Sequence, residues 1–246
     1  SQERYLEKTF GLANYLEDDA RILRMVANLS ETLNPDETVR LRWLRDQKVD
    51  ALIRLRRYDE VIDLEISSRH NPSMGLSAGW ARAMAGLGKG GEAIDAVVEE
   101  PSHFGIFGAP DRLLLELALA NKQLDVGRTA AESLVARDRT DFQAAIDQLL
   151  FLAEAHLPLE WSPALDRFFL RFGLNEVARV TLLKQLESVK NPELLEAIWM
   201  QMEEGGQLSS EARMAYVQNL ILVGRVDHAE REFALTRKEI EGIGDG

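Results

Sequence analysis

Residues 222–235 read "LVGRVDHAEREFAL". An apolar helix end runs into a glycine and a short polar turn, and Ala229 and Phe233 then stand four residues apart on a new helix. The same phrasing occurs in "LRRYDEVIDLEI" (55–66), "LGKGGEAIDAVV" (87–98) and "NKQLDVGRTAAESL" (121–134). The residue just inside each second helix is Val61, Ala93, Gly127 and Ala229, at separations of 32, 34 and 102 residues. The last separation is three periods of 34, so further copies are expected near 161 and 195.

At 195 the expectation is met by "SVKNPELLEAIWMQM", with a turn, Pro192 opening the helix, Leu195, and Trp199 in the place of Phe233. At 161 the match is poorer. "HLPLEWSPALDRFFLRFG" reads as a longer turn, with Ser162 capping a helix that opens on Pro163 and stops at Gly173. Leu, Ala, Glu and Arg are abundant, Pro is scarce at 7 residues, and β-branched runs are nearly absent, all of which favours helix throughout.

A 34-residue period built from two helices resembles the tetratricopeptide repeat family. That family places a small residue at the helix crossing, an aromatic four residues later, and a proline or break at the end of the unit. Ala229 and Phe233 match this pattern, and Ala93 with Val97 matches in part. "FGLANYLEDDARILRMVANLSETLNP" (10–35) fits with Gly11 as the small residue of its first helix and Ala27, Ser30 and Pro35 in the later places. The sequence departs from the family where Lys48, Val49, Leu114 and Leu115 replace its Trp and Leu-Gly positions. About four extra residues after Pro35 predict a long helix over 36–56.

The resemblance implies an all-α fold: a right-handed α-solenoid, or superhelix, of about seven tetratricopeptide-like hairpins over 1–246. Each hairpin would bury its apolar stripe on its neighbours, making one cooperative body. The abrupt polar ends are read as those of a segment of a longer protein. The resemblance also implies a concave face lined by first helices, where an extended partner segment binds. Asp46, Asp50, Arg82, Arg112, Glu116, Lys184 and Glu187 fall on that face. The asparagine with which the family clamps a terminal carboxylate is missing from its place, and the face is mixed and net acidic.

The chain is 46% hydrophobic and 28% charged, as in packed globular proteins. Its formal net charge is −12, and acids exceed bases in every block of fifty residues. No Lys/Arg cluster offers itself to phosphates, so nucleic acid is not an expected partner. With no cysteine, thiolate metal sites and disulfides are excluded, and an oxidising compartment is favoured slightly. The longest apolar run, "LLLELALA" (113–120), is too short to cross a membrane.

"GLGKGG" (86–91) satisfies G-x-G-x-x-G through Gly86, Gly88 and Gly91, but it follows a helix rather than a strand and reads as a turn. Of His70, His103, His156 and His228, only His228 shares a helix face with an acid, Glu232, in a spacing more typical of a solvated face than of a metal site. Asp18-Asp19, Glu99-Glu100 and Glu203-Glu204 are chain neighbours that point apart, so they are not acid–base dyads. No nucleophile motif is present, and no catalytic, cofactor or metal site is expected. The loop "EEPSHFGIFGAPD" (99–111) carries Phe104, Ile106 and Phe107. It either folds back on a neighbouring hairpin or offers Phe104 and Phe107 to a partner.

The expected function is therefore binding. Architecture and composition resemble the periplasmic helical-repeat regions of bacterial exopolysaccharide export proteins of the Pel and alginate type. That resemblance implies a periplasmic scaffold that recruits a polysaccharide-modifying enzyme or guides polymer. The acidic surface suits a basic partner or a cationic polysaccharide. The alternative is a cytoplasmic adaptor or co-chaperone for peptide segments.

Overall fold

A computed structural model describes residues 2–33, 37–68, 77–105, 109–204 and 209–243. Among these residues there are helices and turns and no strand. The chain divides into two compact units, Ser1–Lys122 and Gln123–Gly246. The first holds α1 (Gln2–Tyr15), α2 (Asp19–Thr32), α3 (Thr38–Arg54), α4 (Tyr58–Ser68), α5 (Ala78–Gly86), α6 (Gly90–Glu99) and α7 (Ala109–Asn121), with a 3-10 turn at Pro101–Phe104. The second holds α8 (Leu124–Arg137), α9 (Phe142–Glu154), α10 (Pro158–Phe172), α11 (Glu176–Gln185), α12 (Pro192–Glu204), α13 (Ser210–Leu222) and α14 (Val226–Ile243), with a 3-10 turn at Leu186–Ser188.

One local device recurs at every odd-to-even helix junction. Glu17, Arg56, Gly88, Lys122, His156, Lys190 and Gly224 all have φ between 50° and 79°, the left-handed region. Each lies five residues before a position in the following helix: Ile22, Val61, Ala93, Gly127, Trp161, Leu195 and Ala229. All seven of those residues are buried. At five of the junctions the residue after the left-handed one donates back across the helix end: Asp18 N to Ala13 O, Arg57 N to Leu52 O, Lys89 N to Met84 O, Leu157 N to Leu152 O and Arg225 N to Leu220 O, at 2.8–3.0 Å. This is the Schellman closure, which satisfies helix-end carbonyls and turns the chain sharply. New helices then start on side-chain caps such as Asp18 and Asn191, or on Pro158 and Pro192.

The copy at 161 is thus in phase, contrary to the stretched register expected there. Helix α10 starts at Pro158, not Pro163, and Ser162 is not its cap. Pro163 lies inside the helix on an exposed side, where the backbone bond it cannot donate faces water. The left-handed His156 and the burial of Trp161 set the start, overriding the local Ser-Pro signal.

The column four residues further on carries Val26, Glu65, Val97, Ala131, Leu165 and Trp199, all buried. Phe233, expected to pack there too, is instead 47% exposed. Trp199 is covered by Tyr216 of the next helix, with ring centroids 3.8 Å apart and planes 2° from parallel. Among the described residues no ring contact to Phe233 corresponds to the one that covers Trp199. Glu65 is the one acid in the column. Arg45 bridges it at 2.7 Å, and Ser77 Oγ donates to it at 2.6 Å.

Odd helices also pack on one another, α3 on α5 and α5 on α7 in the first unit, α9 on α11 and α11 on α13 in the second. The long α3 expected from the insertion after Pro35 is present, at 17 residues. In the second unit the buried Asn219 Nδ2 donates to Leu183 O at 2.7 Å and to Ala215 O at 2.9 Å, tying α13 to α11 through a backbone carbonyl.

The left-handed turns predict a clean substitution effect. A Cβ on Gly224 would meet open space, so Gly224→Ala carries backbone strain alone. It should cost about 1–2 kcal/mol in urea unfolding with an unchanged m-value. The same exchange at Gly11, which has a negative φ and equally open surroundings, should cost nothing and tends to stabilise.

Candidate functional sites

The first-helix face has a regular charge pattern in the first unit. Asp50 on α3, Arg82 on α5 and Glu116 on α7 follow one another at 32 and 34 residues, and the first two each lie eleven residues before a buried residue of the following helix, Val61 and Ala93. Arg82 forms a two-pronged pair with Glu116, its Nε at 2.8 and 3.0 Å and its Nη2 at 2.9 Å from the carboxylate oxygens. The hydrogen bond to Glu116 raises the Arg82 pKa above its ordinary value, with a further contribution from Asp50. Asp50 is raised by desolvation, against the opposing pull of Arg82 and Arg54. Asp46, one helical turn earlier, is raised by desolvation and then by Asp50, with Arg45 and Arg42 opposing. Arg112 is half-buried on α7 and already has interaction partners.

Four of the expected positions therefore come together in this unit, Asp46, Asp50, Arg82 and Glu116. Arg82 and Glu116 satisfy each other rather than waiting for a ligand. In the second unit Lys184 Nζ donates to Glu211 at 2.7 Å, and Glu187 is exposed in the 3-10 turn. Phe104 is 5% exposed and tilts against Trp80 with centroids 6.3 Å apart. The loop is folded back at this point, so Phe104 offers nothing to a partner. Phe107 and Ile106 lie outside the described residues, as does His70. "GLGKGG" forms the α5–α6 turn, where Gly88 is left-handed and Gly86 and Gly90 leave no room for a Cβ against Tyr58 and Asn121.

A second concentration of chemistry, not singled out from the sequence, lies in the second unit. An open pocket of about 630 Å³ is lined by Glu193, Glu196, Trp199, Met200 and Glu203 of α12, Tyr216 of α13, and His228 and Glu232 of α14. Its floor is the stacked Trp199–Tyr216 pair, with His228 edge-on to Tyr216 at 5.9 Å. Glu196 is paired with Arg225 at 2.7 Å, and Glu232 lies 3.8 Å from Arg213 and 3.6 Å from His228. Arg213 also stands over the Trp199 ring at 6.0 Å. Glu193 and Glu203 have no ion pair among the described residues, so the pocket keeps an excess of negative charge over an aromatic floor. Burial, then repulsion from Glu232 and Glu196, pushes the Tyr216 phenol up to about 12, so it stays protonated.

The signal for this pocket was present in the spacing. Glu193, Glu196, Met200 and Glu203 recur at three, four and three residues and share one face of α12. Reading Glu203-Glu204 as a neighbour pair hid the match between Glu203 and Glu196, two helical turns away.

Among the described residues no group of three or more His, Asp or Glu is placed to hold a metal ion, and no helix is long and apolar enough to cross a membrane. No family model, no curated protein and no solved structure matches this chain.

The shifts at Asp46 and Asp50 fix the sign of a pH effect. Both folded-state values are raised, so the ionised carboxylates subtract from stability above them, and that deficit vanishes as pH falls through the carboxylate range. Asp46→Asn should therefore raise the thermal midpoint near pH 7, and the gain should disappear by about pH 3.

Proposed function

We propose that this chain is a binding scaffold, a tetratricopeptide-like array of seven helical hairpins that docks a cationic partner. The reading is carried by one observation: the stacked Trp199–Tyr216 floor ringed by Glu193, Glu196, Glu203 and Glu232, with two of these acids unpaired. Acids crowded at an open pocket favour an ammonium or guanidinium group through charge. The array architecture is supported by the seven left-handed turns and by the 34-residue spacing of the residues that follow the last five of them, Ala93 to Ala229. The proposed setting is bacterial exopolysaccharide assembly or export, where the chain recruits a modifying enzyme or guides polymer in the periplasm. The alternative is a cytoplasmic adaptor for basic peptide segments.

Calorimetric titration with a fully deacetylated glucosamine hexamer, its N-acetylated counterpart and a blocked lysine-rich peptide separates these readings. The proposal expects binding of the deacetylated sugar or of the lysine peptide, weakened by added salt, and none of the acetylated sugar. Binding of the peptide alone selects the adaptor reading. The double substitution Glu193→Gln, Glu203→Gln removes two exposed charges and should weaken binding by about tenfold without changing the fold. Silence from both cationic probes would sink the cationic-partner reading.

A further inference from the structure

Arg179, near the start of α11, is a buried cation with no counter-charge. It is 8% exposed, and its Nε–H is enclosed without an acceptor. Among the described residues its side chain makes no ion pair and no hydrogen bond. Among the described residues the other buried charged side chains, Asp19, Glu65 and Asp111, each have an interaction partner. The buried Nε–H has given up water and gained no acceptor in exchange, which is costly, while the rest of the guanidinium reaches the open cleft beside it.

Arg179 lines an open cleft of about 410 Å³ formed by α10, α11 and α12. One side of that cleft is apolar: Phe169, Leu170 and Leu174, the two leucines being 87% and 94% exposed. Asp166, Gln201 and Glu204 supply its polar side, with Gln201 Nε2 donating to Asp166 Oδ1 at 3.1 Å. Glu204 has no ion pair among the described residues. This pocket shares no residue with the acid–aromatic one, and its central charge has the opposite sign.

We infer that this cleft takes a short apolar peptide segment whose carboxylate is bound by Arg179 and whose neighbouring basic side chain faces Asp166 and Glu204. Each part of the ligand answers a group already in place. A guanidinium fork matches a carboxylate in two-point geometry, exposed leucines lose water on contact with apolar side chains, and the rim acids balance a cation. A ligand bearing only a carboxylate would meet the two acids unfavourably, which selects for the mixed segment.

The inference does not depend on the cationic-partner reading and is tested with a different probe. Blocked acetyl-Lys-Leu-Leu-Glu-amide is titrated into 15N-labelled protein while the Arg179 Nε–H resonance is followed. A saturable shift of that resonance is expected, with the glutamine analogue of the peptide binding at least about tenfold more weakly. Leu174→Ser, at a nearly fully exposed position, should leave the fold intact and weaken the peptide severalfold. Arg179→Met should abolish the discrimination between the glutamate and glutamine peptides and should melt no lower than the parent, since it removes a buried donor that has no acceptor. Equal binding of the two peptides, an Nε–H resonance that stays put at millimolar peptide, or a marked fall in the melting temperature of Arg179→Met would each overturn the assignment.

Discussion

Everything in this chain hangs on how its odd helices stop. A left-handed residue, followed at most junctions by a hydrogen bond back across the helix end, turns the chain sharply within a few residues. Because the turn has fixed length, the residue five positions later always arrives at the same depth in the following helix. That residue is buried whether it is Gly127 or Trp161. Side-chain volume at the crossing is therefore accommodated by the neighbours, while turn geometry stays constant. The energetic cost is borne by Glu17, Arg56, Lys122, His156 and Lys190, which adopt a conformation that glycine takes without strain.

Charge is distributed with the same regularity and to two different ends. On the odd-helix face of the first unit it is mostly spent internally, with Arg82 answering Glu116 and attracting Asp50. In the second unit it is left partly open. The acid–aromatic pocket keeps Glu193 and Glu203 without partners, and the α10–α12 cleft keeps Arg179 without one. The proposed binding role rests on this charge, which the protein does not neutralise itself.

The period was legible because the turn is local. "LVGRVDHAEREFAL" contains its left-handed glycine, its crossing alanine and the start of its helix within a dozen residues. The copy at 161 was harder to read for the same reason. Ser162-Pro163 looks like a helix start, and nothing short of the buried environment of Trp161 reveals that the start came five residues earlier. The sites were less legible still. Phe104 and Arg179 are ordinary residues in sequence, one apolar in a loop and one basic on a helix, and both depend on what folds over them. Asp50, Arg82 and Glu116 could be placed on one face by spacing, but spacing alone does not say that two of them are already paired. Phe233 shows the converse case, a residue in the right phase that is half exposed.

The alternation Asp50, Arg82, Glu116 has a consequence for how such a chain can change over evolutionary time. The odd-to-even helix junctions share one turn, so their backbones are alike there. Their faces are not. Moving the α5–α6 hairpin out from between its neighbours would set Asp50 against Glu116, both negative, at the site where a guanidinium now joins them. The order of the repeats is thereby written into surface charge. Duplication or loss of the α5–α6 pair alone is penalised by like charges on this face, whereas a step of two helix pairs preserves the alternation.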